Sequence, residues 1–235
     1  MSMTAIVTGA NRGIGLEIAR QLAQRGLTVV LTARDAAKGE AAAQRLRAEL
    51  GLGDEVLSHP LDVADERSVQ TLRAWSDAEL GQVDVLVNNA GILPDRDKTA
   101  LTISSALMRE VLETNTLGPL WLCQAFMPGM LERNYGRIVN VASESAQLKN
   151  QHGRWPAYNL SKLALNALTL QFAGLTSKKD VLVNSVHPGW VQSDMGGPTA
   201  PRTLAQGADT ATWLATLPAG GPNGQFFFDR RPMDW

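Results

Sequence analysis

The sequence predicts an α/β protein built on a doubly wound parallel sheet of about seven strands, with helices on both faces. Three observations predict this fold class. Short runs rich in β-branched residues alternate with longer segments of helical periodicity. The run V-D-V-L-V at Val83–Val87 is almost entirely apolar, which is typical of a parallel strand covered on both faces. Since no internal repeat or low-complexity linker divides the 235 residues, residues 1–235 are expected to form one domain.

The predicted elements alternate along the chain. Strands are predicted at Ala5–Thr8, Thr28–Thr32, Val56–Ser58, Val83–Val87, Arg137–Ala142, Leu182–Val186 and Gln225–Phe228. Helices are predicted at Ile14–Gln24, Lys38–Leu50, Glu66–Leu80, Ile103–Arg133, Ala157–Leu175 and Thr203–Leu217. Repeated strand–helix–strand units imply right-handed crossovers, and ligands of such sheets bind beyond the carboxyl ends of the strands. The loops that follow the strands are therefore where we expect the chemistry.

The composition argues against several classes of function. A formal net charge of −1 provides no basic field for nucleic acid or an anionic membrane. The single cysteine, Cys123, cannot form an internal disulfide, and we expect it to be buried in a protein of the reducing cytoplasm. No signal peptide is recognised, and the apolar segment Leu117–Leu131 is too short to span a bilayer. His59, His152 and His187 lack metal-ligand spacing, so no metal site is predicted.

Three glycines follow the first predicted strand, in T-G-A-N-R-G-I-G. Gly9, Gly13 and Gly15 have the spacing G-x-x-x-G-x-G and open the first predicted helix. Glycine allows a sharp turn and lets backbone N–H groups approach a phosphate at a helix N-terminus. A tight turn that only packs the helix on the strand is the alternative. Three glycines at this place favour the phosphate-binding loop of a Rossmann-type dinucleotide site.

Two arginines indicate which dinucleotide is bound. An NAD site usually has an acidic residue at the end of the second strand. Here that place holds Ala33 and Arg34, and a guanidinium there would bind a 2′-phosphate, with Arg12 reaching it from the glycine loop. The following Asp35 is expected to cap the next helix. We predict NADP(H) rather than NAD(H); the alternative for each arginine is a solvated surface charge.

A tyrosine and a lysine provide the candidate proton chemistry. Tyr158 and Lys162 in Y-N-L-S-K are four residues apart and share a helix face. A nearby ammonium lowers the pKa of a phenol, so Tyr158 can protonate a carbonyl oxygen as hydride reaches the carbon. Ser143, at the end of R-I-V-N-V-A-S-E-S, can hydrogen-bond the same oxygen. Asn115 lies within a helical pattern, which predicts a bound water or a plain buried hydrogen bond.

Taken in order, these motifs resemble the short-chain dehydrogenase/reductase family, and more narrowly its carbonyl reductase-like branch. The motifs T-G-A-N-R-G-I-G, L-D-V, V-N-N-A-G and H-P-G-W-V-Q-S-D-M, with the four residues below, occur in the family's order along essentially the whole chain. The resemblance implies a catalytic tetrad of Asn115, Ser143, Tyr158 and Lys162. It also implies NADP(H) as cofactor and a small-molecule carbonyl or alcohol as substrate.

The resemblance also implies which residues hold the cofactor. Asp62 would contact the adenine amine, Asn89 the adenosine ribose region, and Lys162 the nicotinamide ribose. Pro188, Gly189, Val191 and Ser193 would line the nicotinamide. The complete predicted set is Gly9, Asn11, Arg12, Gly13, Ile14, Gly15, Arg34, Asp62, Val63, Asn89, Ala90, Gly91, Tyr158, Lys162, Pro188, Gly189, Val191 and Ser193.

The sequence departs from the family pattern between the serine and the tyrosine. The spacing from Ser143 to Tyr158 is two residues longer than usual; Ser145 fits the spacing better, and Ser143 fits the strand motif better. We choose Ser143, with a small insertion within 144–155. The much longer insertion that many carbonyl reductase-like members carry there is absent. Homodimer, homotetramer and monomer therefore all stay open.

The predicted function is the NADPH-dependent reduction of a ketone or aldehyde to an alcohol, by reversible hydride transfer. The alternative is an NADP(H)-binding sensor or scaffold protein without turnover, which the fold alone would permit. The complete Asn–Ser–Tyr–Lys set argues against that alternative. Neither nucleic acid nor a membrane is expected as a partner. The loops expected to form the substrate pocket, 92–98, 144–155 and 195–202, have mixed polarity and do not predict the substrate.

Overall fold

The computed structural model describes residues 3–235 and places eight strands in one sheet. The order across the sheet is β3-β2-β1-β4-β5-β6-β7-β8. Neighbouring strands are parallel except β7 and β8, which are antiparallel. The strands are β1 Thr4–Val7, β2 Thr28–Ala33, β3 Val56–Pro60, β4 Val85–Asn88, β5 Gly136–Val141, β6 Val181–Val186, β7 Phe226–Phe228 and β8 Arg231–Met233.

The described residues form seven α-helices, six of which cover the two faces of the sheet. They are α1 Gly13–Ala23, α2 Ala36–Leu50, α3 Glu66–Glu79, α4 Ser105–Leu112, α5 Gly118–Arg133, α6 Pro156–Ala173 and α7 Leu204–Ala215. One apolar cluster joins one face of the sheet to α1, α2 and α7, and a second joins the other face to α3, α5 and α6. The doubly wound parallel architecture that the sequence predicts is thus confirmed.

The structure differs from the sequence prediction in two elements. The short strand β8 was not predicted, because R-P-M contains a proline and has no alternating pattern. The single helix predicted at Ile103–Arg133 is divided into α4 and α5 by a π-helical turn at Glu113–Leu117. A periodicity-based prediction does not detect a π turn, because the apolar residues continue through it at nearly the same spacing.

The first residue of α5 explains how closely this helix packs. A Cβ on Gly118 would lie 2.6 Å from the carbonyl oxygen of Val63, in the loop that follows β3. Only glycine lets the backbone of the helix approach this loop so closely. The π turn just before it brings Asn115 into the interior, where the residue is fully buried.

The structure bears on two expectations drawn from composition, the burial of Cys123 and the lack of a helix that spans a membrane. Cys123 is buried in α5, as predicted, and burial raises the pKa of its thiol to about 12. The thiol therefore stays protonated and unreactive near neutral pH. Within residues 3–235, no helix is both long enough and apolar enough to cross a membrane.

Candidate active site

The candidate site is a cleft of about 270 Å³ at the carboxyl ends of the parallel strands. It opens where β1 has β2 on one side and β4 on the other, the point at which the strand order reverses. Predicted residues on its wall are Gly9, Asn11, Arg12, Gly13, Ile14, Gly15, Arg34, Asp62, Val63, Asn89, Ala90, Gly91, Tyr158, Lys162, Pro188 and Ser193. Ile92 and Met195, from two of the loops expected to form the substrate pocket, also line the cleft. Further lining residues, not predicted, are Ala33, Leu61, Thr114, Val141, Ala142 and Asp194.

Two residues predicted to line the nicotinamide lie behind the wall of the cleft. Val191 is buried and packs against α7, where a Cβ on Gly207 would lie 2.6 Å from its Cγ2. Gly189 adopts a φ of +82° and is covered by the side chain of Arg202. The loop after β6 thus presents Pro188 and Ser193 to the cleft and turns the residues between them towards α7 and Arg202.

The glycine loop combines unusual backbone angles with close packing. Gly9 and Gly13 adopt φ angles of +62° and +60°, which side chains of L-residues rarely adopt. At Gly15 the constraint is space, because a Cβ would lie 2.6 Å from the carbonyl oxygen of Gly9 and overlap the amide of Asn89. The N-cap of α1, Arg12, makes no side-chain capping bond among the described residues. The first N–H groups of α1 therefore remain available to an anion.

The loop after β4 is fastened to the glycine loop through Asn89. Its Nδ2 donates to the carbonyl oxygen of Thr8 at 2.8 Å. In return, the hydroxyl of Thr8 accepts the backbone N–H groups of Asn89 and Ala90, at 3.0 and 2.9 Å. These bonds fix the spacing of the two loops that form the floor of the cleft.

We expect Gly15→Ala to weaken NADPH binding about 10-fold or more, because the new methyl group displaces the Asn89 amide and the helix N-terminus. Fluorescence titration with NADPH measures this effect. Gly53→Ala is the matched control, because its Cβ would make only an ordinary contact, 3.7 Å from the Glu55 carboxylate. Equal affinities of Gly15→Ala and the wild type would contradict the assignment of this loop to the cofactor.

The residues expected to select the cofactor lie at one end of the cleft. Asp35 is the N-cap of α2, as predicted; it accepts the N–H of Lys38 at 3.1 Å, and this bond lowers the pKa of its carboxyl group. Arg34 is exposed at the cleft edge. Arg12 forms an ion pair with Asp194 across the cleft, and both side chains are mostly solvent-exposed. Exposed pairs of this kind contribute little, so a phosphate can replace the carboxylate.

Tyr158 meets Ser143 at the inner end of the cleft. The Tyr158 side chain is 8% exposed, and the Ser143 side chain lies close enough to the Tyr158 hydroxyl to lower its pKa. Ser143 is held in place as the N-cap of a 3₁₀ turn at Glu144–Ala146, where its Oγ accepts the N–H of Ser145 at 3.2 Å. Of the two serines that the sequence left open, the structure brings Ser143 to the tyrosine hydroxyl.

Lys162 lies beside the tyrosine but donates elsewhere. Its Nζ donates to the carbonyl oxygen of Val141 at 2.7 Å and lies 5.8 Å from the centroid of the Tyr158 ring. Burial lowers the pKa of Lys162 to about 8. Burial raises the pKa of Tyr158, while the nearby Ser143 side chain and the charge of Arg96 lower it. Desolvation of the hydroxyl is the largest influence on this pKa, and the lowering of the pKa by Lys162 stays a prediction.

Asn115 uses its whole side chain inside the protein. Nδ2 donates to the carbonyl oxygen of Ile92 at 3.0 Å and to Oγ of Ser161 at 2.9 Å. Oδ1 accepts the N–H of Ile92 at 2.8 Å. Of the two alternatives from the sequence, this supports a buried hydrogen-bonding role for the side chain. The π turn also alters the backbone pairing here, which leaves backbone groups that can bind a water.

His187 is a site residue that the sequence reasoning set aside. It follows β6, and its Nδ1 accepts the N–H groups of Glu144 at 3.2 Å and Gly189 at 3.3 Å. It thereby joins the Ser143 loop to the loop after β6, and its ring stacks on Phe228. Burial lowers the pKa of His187 to about 4. Its position at a strand end, in H-P-G, was the available signal in the sequence.

We expect His187 to make stability depend on pH below neutrality. Its pKa is about 4 in the folded chain and near 6.5 when unfolded, so the unfolded chain binds the extra proton between these values. Acidification from pH 6.5 to 4 should therefore lower the free energy of unfolding by at most about 3 kcal/mol, and by less after solvent screening. Urea unfolding of wild type and His187→Gln over this range measures the effect. If the free energy of unfolding depends equally on pH in both proteins, the prediction is refuted, since His59 contributes equally to both.

No group of three or more His, Cys, Asp or Glu side chains in residues 3–235 is close enough to bind a metal ion. The site instead combines a glycine-rich helix N-terminus, a cleft at the strand ends and a Ser–Tyr–Lys cluster. These features define the class of dinucleotide-dependent oxidoreductases. Residues 3–203 match the short chain dehydrogenase family model. The chain belongs to the short chain dehydrogenase family.

Similar proteins extend over almost the whole chain. It is 37% identical to carbonyl reductase (NADPH) 1 of Bos taurus, covering 98% of each chain. It is 34% identical to (+)-neomenthol dehydrogenase of Arabidopsis thaliana, covering 97% of this chain and 96% of the relative. A crystal structure of a variant of actinorhodin polyketide ketoreductase with NADPH has a TM-score of 0.86 and 30% identity, covering 96% and 94% of the two chains. The bovine alignment spans 278 positions, so that relative has segments which this 235-residue chain lacks.

Proposed function

We propose that this protein reduces ketone or aldehyde carbonyl groups to alcohols with NADPH, by reversible hydride transfer. The observation that carries the proposal is the cluster at the cleft in which the Ser143 side chain acts on the Tyr158 hydroxyl and Lys162 Nζ lies 5.8 Å from the centroid of the Tyr158 ring. The bovine relative is named as an NADPH carbonyl reductase, and the similar ketoreductase structure contains NADPH. Both names support the same reaction and the same cofactor.

The residues present fit a dinucleotide. Gly9 and Gly13 hold positive φ angles in the loop at the N-terminus of α1, and the wall of the cleft is rich in glycine, alanine and other small residues. When bound, NADPH supplies the hydride. The glycine loop would hold the pyrophosphate, and Asp62 and Asn89 would hold the adenosine half. Arg34 would bind the 2′-phosphate, and Arg12 would bind it as well after releasing Asp194. Pro188 and Ser193 would border the nicotinamide.

In the proposed mechanism, the substrate carbonyl oxygen lies between two hydroxyl groups. Ser143 donates a hydrogen bond to this oxygen and stabilises the negative charge that develops on it. Tyr158 transfers its proton to the same oxygen and becomes a phenolate. The Lys162 ammonium stabilises that phenolate by its charge once it is released from the Val141 carbonyl. Asn115 positions the segment at Ile92 and, through its backbone in the π turn, a water for proton return.

The rate of NADPH oxidation with a panel of ketones, aldehydes and quinones, followed at 340 nm, tests this function. Consumption of NADPH with formation of the matching alcohol supports the proposal. NADPH binding without turnover of any panel member would favour the sensor or scaffold alternative. Since nothing in the site singles out that alternative, we expect turnover.

We further propose that residues 1–235 act as one domain in the cytoplasm and that copies associate through helix faces. All eight described strands join one sheet, which supports the single domain. The single, buried thiol of Cys123 suits a reducing compartment. Leu117, Leu160 and Leu170 are exposed by 37%, 49% and 43% at or near α5 and on α6, where a homodimer or homotetramer would cover them. Light scattering during gel filtration distinguishes these states from a monomer.

A further inference from the structure

We propose that Asp95 is a positioning residue that caps helix α6 from a distant loop and thereby fixes the backbone of Tyr158. The proposal deepens the proposed function and rests on it for its effect on turnover. It assigns a role to a residue in the loop after β4, outside the Asn–Ser–Tyr–Lys set. The observations that carry it are the geometry at the start of α6, the burial of the carboxylate and the docking of its loop.

Helix α6 has no cap of its own. Its N-cap residue, Trp155, adopts a φ of +55° and makes no side-chain capping bond among the described residues, and its first residue is Pro156, which has no N–H. The next N–H groups of the first turn belong to Ala157 and Tyr158. Both donate to Oδ2 of Asp95, at 2.8 and 3.2 Å. The loop residue thus does from 62 positions away what an N-cap side chain normally does locally.

The loop that carries Asp95 is fixed on both sides of it. On one side, Asn115 holds Ile92 through both the N–H and the carbonyl group. On the other, the indole N–H of Trp155 donates to the carbonyl oxygen of Arg96 at 3.1 Å, and the Trp155 backbone N–H donates to that of Lys98 at 3.3 Å. The carboxylate is therefore held rigidly against the helix, as a positioning group must be.

Burial of the Asp95 carboxylate costs solvation free energy, which its interaction with helix α6 offsets. The residue is completely buried, and its Oδ1 has no hydrogen-bond partner among the described residues. A carboxylate buried for stability alone would have both oxygens satisfied. Its negative charge lies at the positive end of the dipole of α6, which is the compensating interaction. The same end of the helix carries the tyrosine that must meet the substrate.

The charge of Asp95 also reaches the tyrosine hydroxyl. Burial raises the pKa of Tyr158 most, and the charges of Asp95 and Glu144 raise it further. The groups that face this hydroxyl are Ser143, Glu144, Asp95, Arg96 and, beside the ring, Lys162. Removal of the Asp95 charge alone should therefore lower the Tyr158 pKa. Because reduction needs protonated Tyr158, the alkaline limb of the kcat profile should move to lower pH.

Two substitutions of Asp95 distinguish the effect of its hydrogen bonds to helix α6 from the effect of its negative charge. Asp95→Ala removes the cap, and we expect kcat to fall about 10- to 100-fold while the Kd for NADPH changes less than about 2-fold. In Asp95→Asn the amide oxygen still accepts both N–H groups, so kcat should stay within about 3-fold of wild type. Its alkaline limb should nevertheless shift to lower pH. Asp65→Ala is the matched control, because Asp65 caps α3 by accepting the N–H of Arg67 at 3.0 Å, and its loss should leave kcat unchanged.

Hydrogen exchange of the Ala157 and Tyr158 amides provides a readout that needs no turnover. Both amides should lose protection in Asp95→Ala and keep it in Asp95→Asn. Wild-type kcat in Asp95→Ala, or unchanged amide protection, would overturn the proposal. If Asp95→Ala does not fold, a lack of protection of both amides in the wild type overturns it, because amides bonded to a buried carboxylate are protected from exchange. If the wild type turns over no carbonyl, the proposed function fails, while the exchange result still decides whether Asp95 caps the helix.

Discussion

Tyr158→Phe is expected to reduce carbonyl turnover by about 10²- to 10⁴-fold, the usual contribution of a positioned general acid. The substitution removes one oxygen atom and leaves the ring, which lies buried beside Ser143 and Lys162. With no proton to donate, the site must leave negative charge on the substrate oxygen. The glycine loop is untouched, so the Kd for NADPH should change less than about 2-fold. Steady-state NADPH oxidation and fluorescence titration measure the two quantities.

Tyr135→Phe is the matched control for this experiment, since Tyr135 is the only other tyrosine in the chain. Its hydroxyl contacts Sδ of Met3, away from the cleft. This variant should turn over at the wild-type rate. Full activity in Tyr158→Phe would refute the proposed mechanism. Loss of both activity and NADPH binding would instead show that the Tyr158 hydroxyl group also holds the cofactor.

The second large effect is expected from Arg34→Asp, which should weaken NADPH binding by about 10²-fold and leave NADH binding nearly unchanged. A charge-assisted hydrogen bond contributes about 1.5–3 kcal/mol, and the new carboxylate also repels the 2′-phosphate. NADH has no such phosphate, and an acidic residue at the end of β2 can accept from its ribose hydroxyls. Kd values for both cofactors, obtained from the quenching of tryptophan fluorescence, give the ratio directly.

Arg45→Asp controls for the change in net charge. Arg45 lies on α2, where it pairs with Glu49 and is 57% exposed, so the substitution makes the same charge change away from the cleft. It should leave the ratio of the two Kd values unchanged. Equal losses of NADPH and NADH affinity in Arg34→Asp would remove this explanation of cofactor choice and shift attention to Arg12.

Most of the fold could be predicted because its signals are local. Buried parallel strands are recognised in the sequence as runs of β-branched residues, and amphipathic helices as segments with periodic apolar residues. The strand that was missed and the helix that was predicted as one depend on contacts between distant segments. Strand β8 pairs with the free edge of β7. The π turn at Glu113–Leu117 lies next to Gly118, which packs closely on the loop after β3.

The candidate site was predictable where a motif carries the chemistry and unpredictable where distant groups meet. The glycine loop, Tyr158 and Lys162 stand in recognisable local patterns. Asp95 reads as an ordinary loop aspartate, because the helix that it caps begins 61 residues later. The imidazole of His187 joins two loops that are distant in sequence. The Nζ of Lys162 donates to the carbonyl oxygen of Val141 rather than to the tyrosine. The spacing of Tyr158 and Lys162 in the sequence does not predict this contact.

The two outer strands of the sheet have a consequence for how copies of the protein avoid aggregation. β3 ends at the exposed Pro60, and β8 carries the exposed Pro232 between Arg231 and Met233. Proline has no N–H to offer a neighbouring strand, and a short edge that also carries a charge is a poor template for another chain. Both open edges thus resist growth of the sheet from one molecule into the next. A concentrated solution of the native protein should accordingly stay free of fibrillar, strand-paired assemblies.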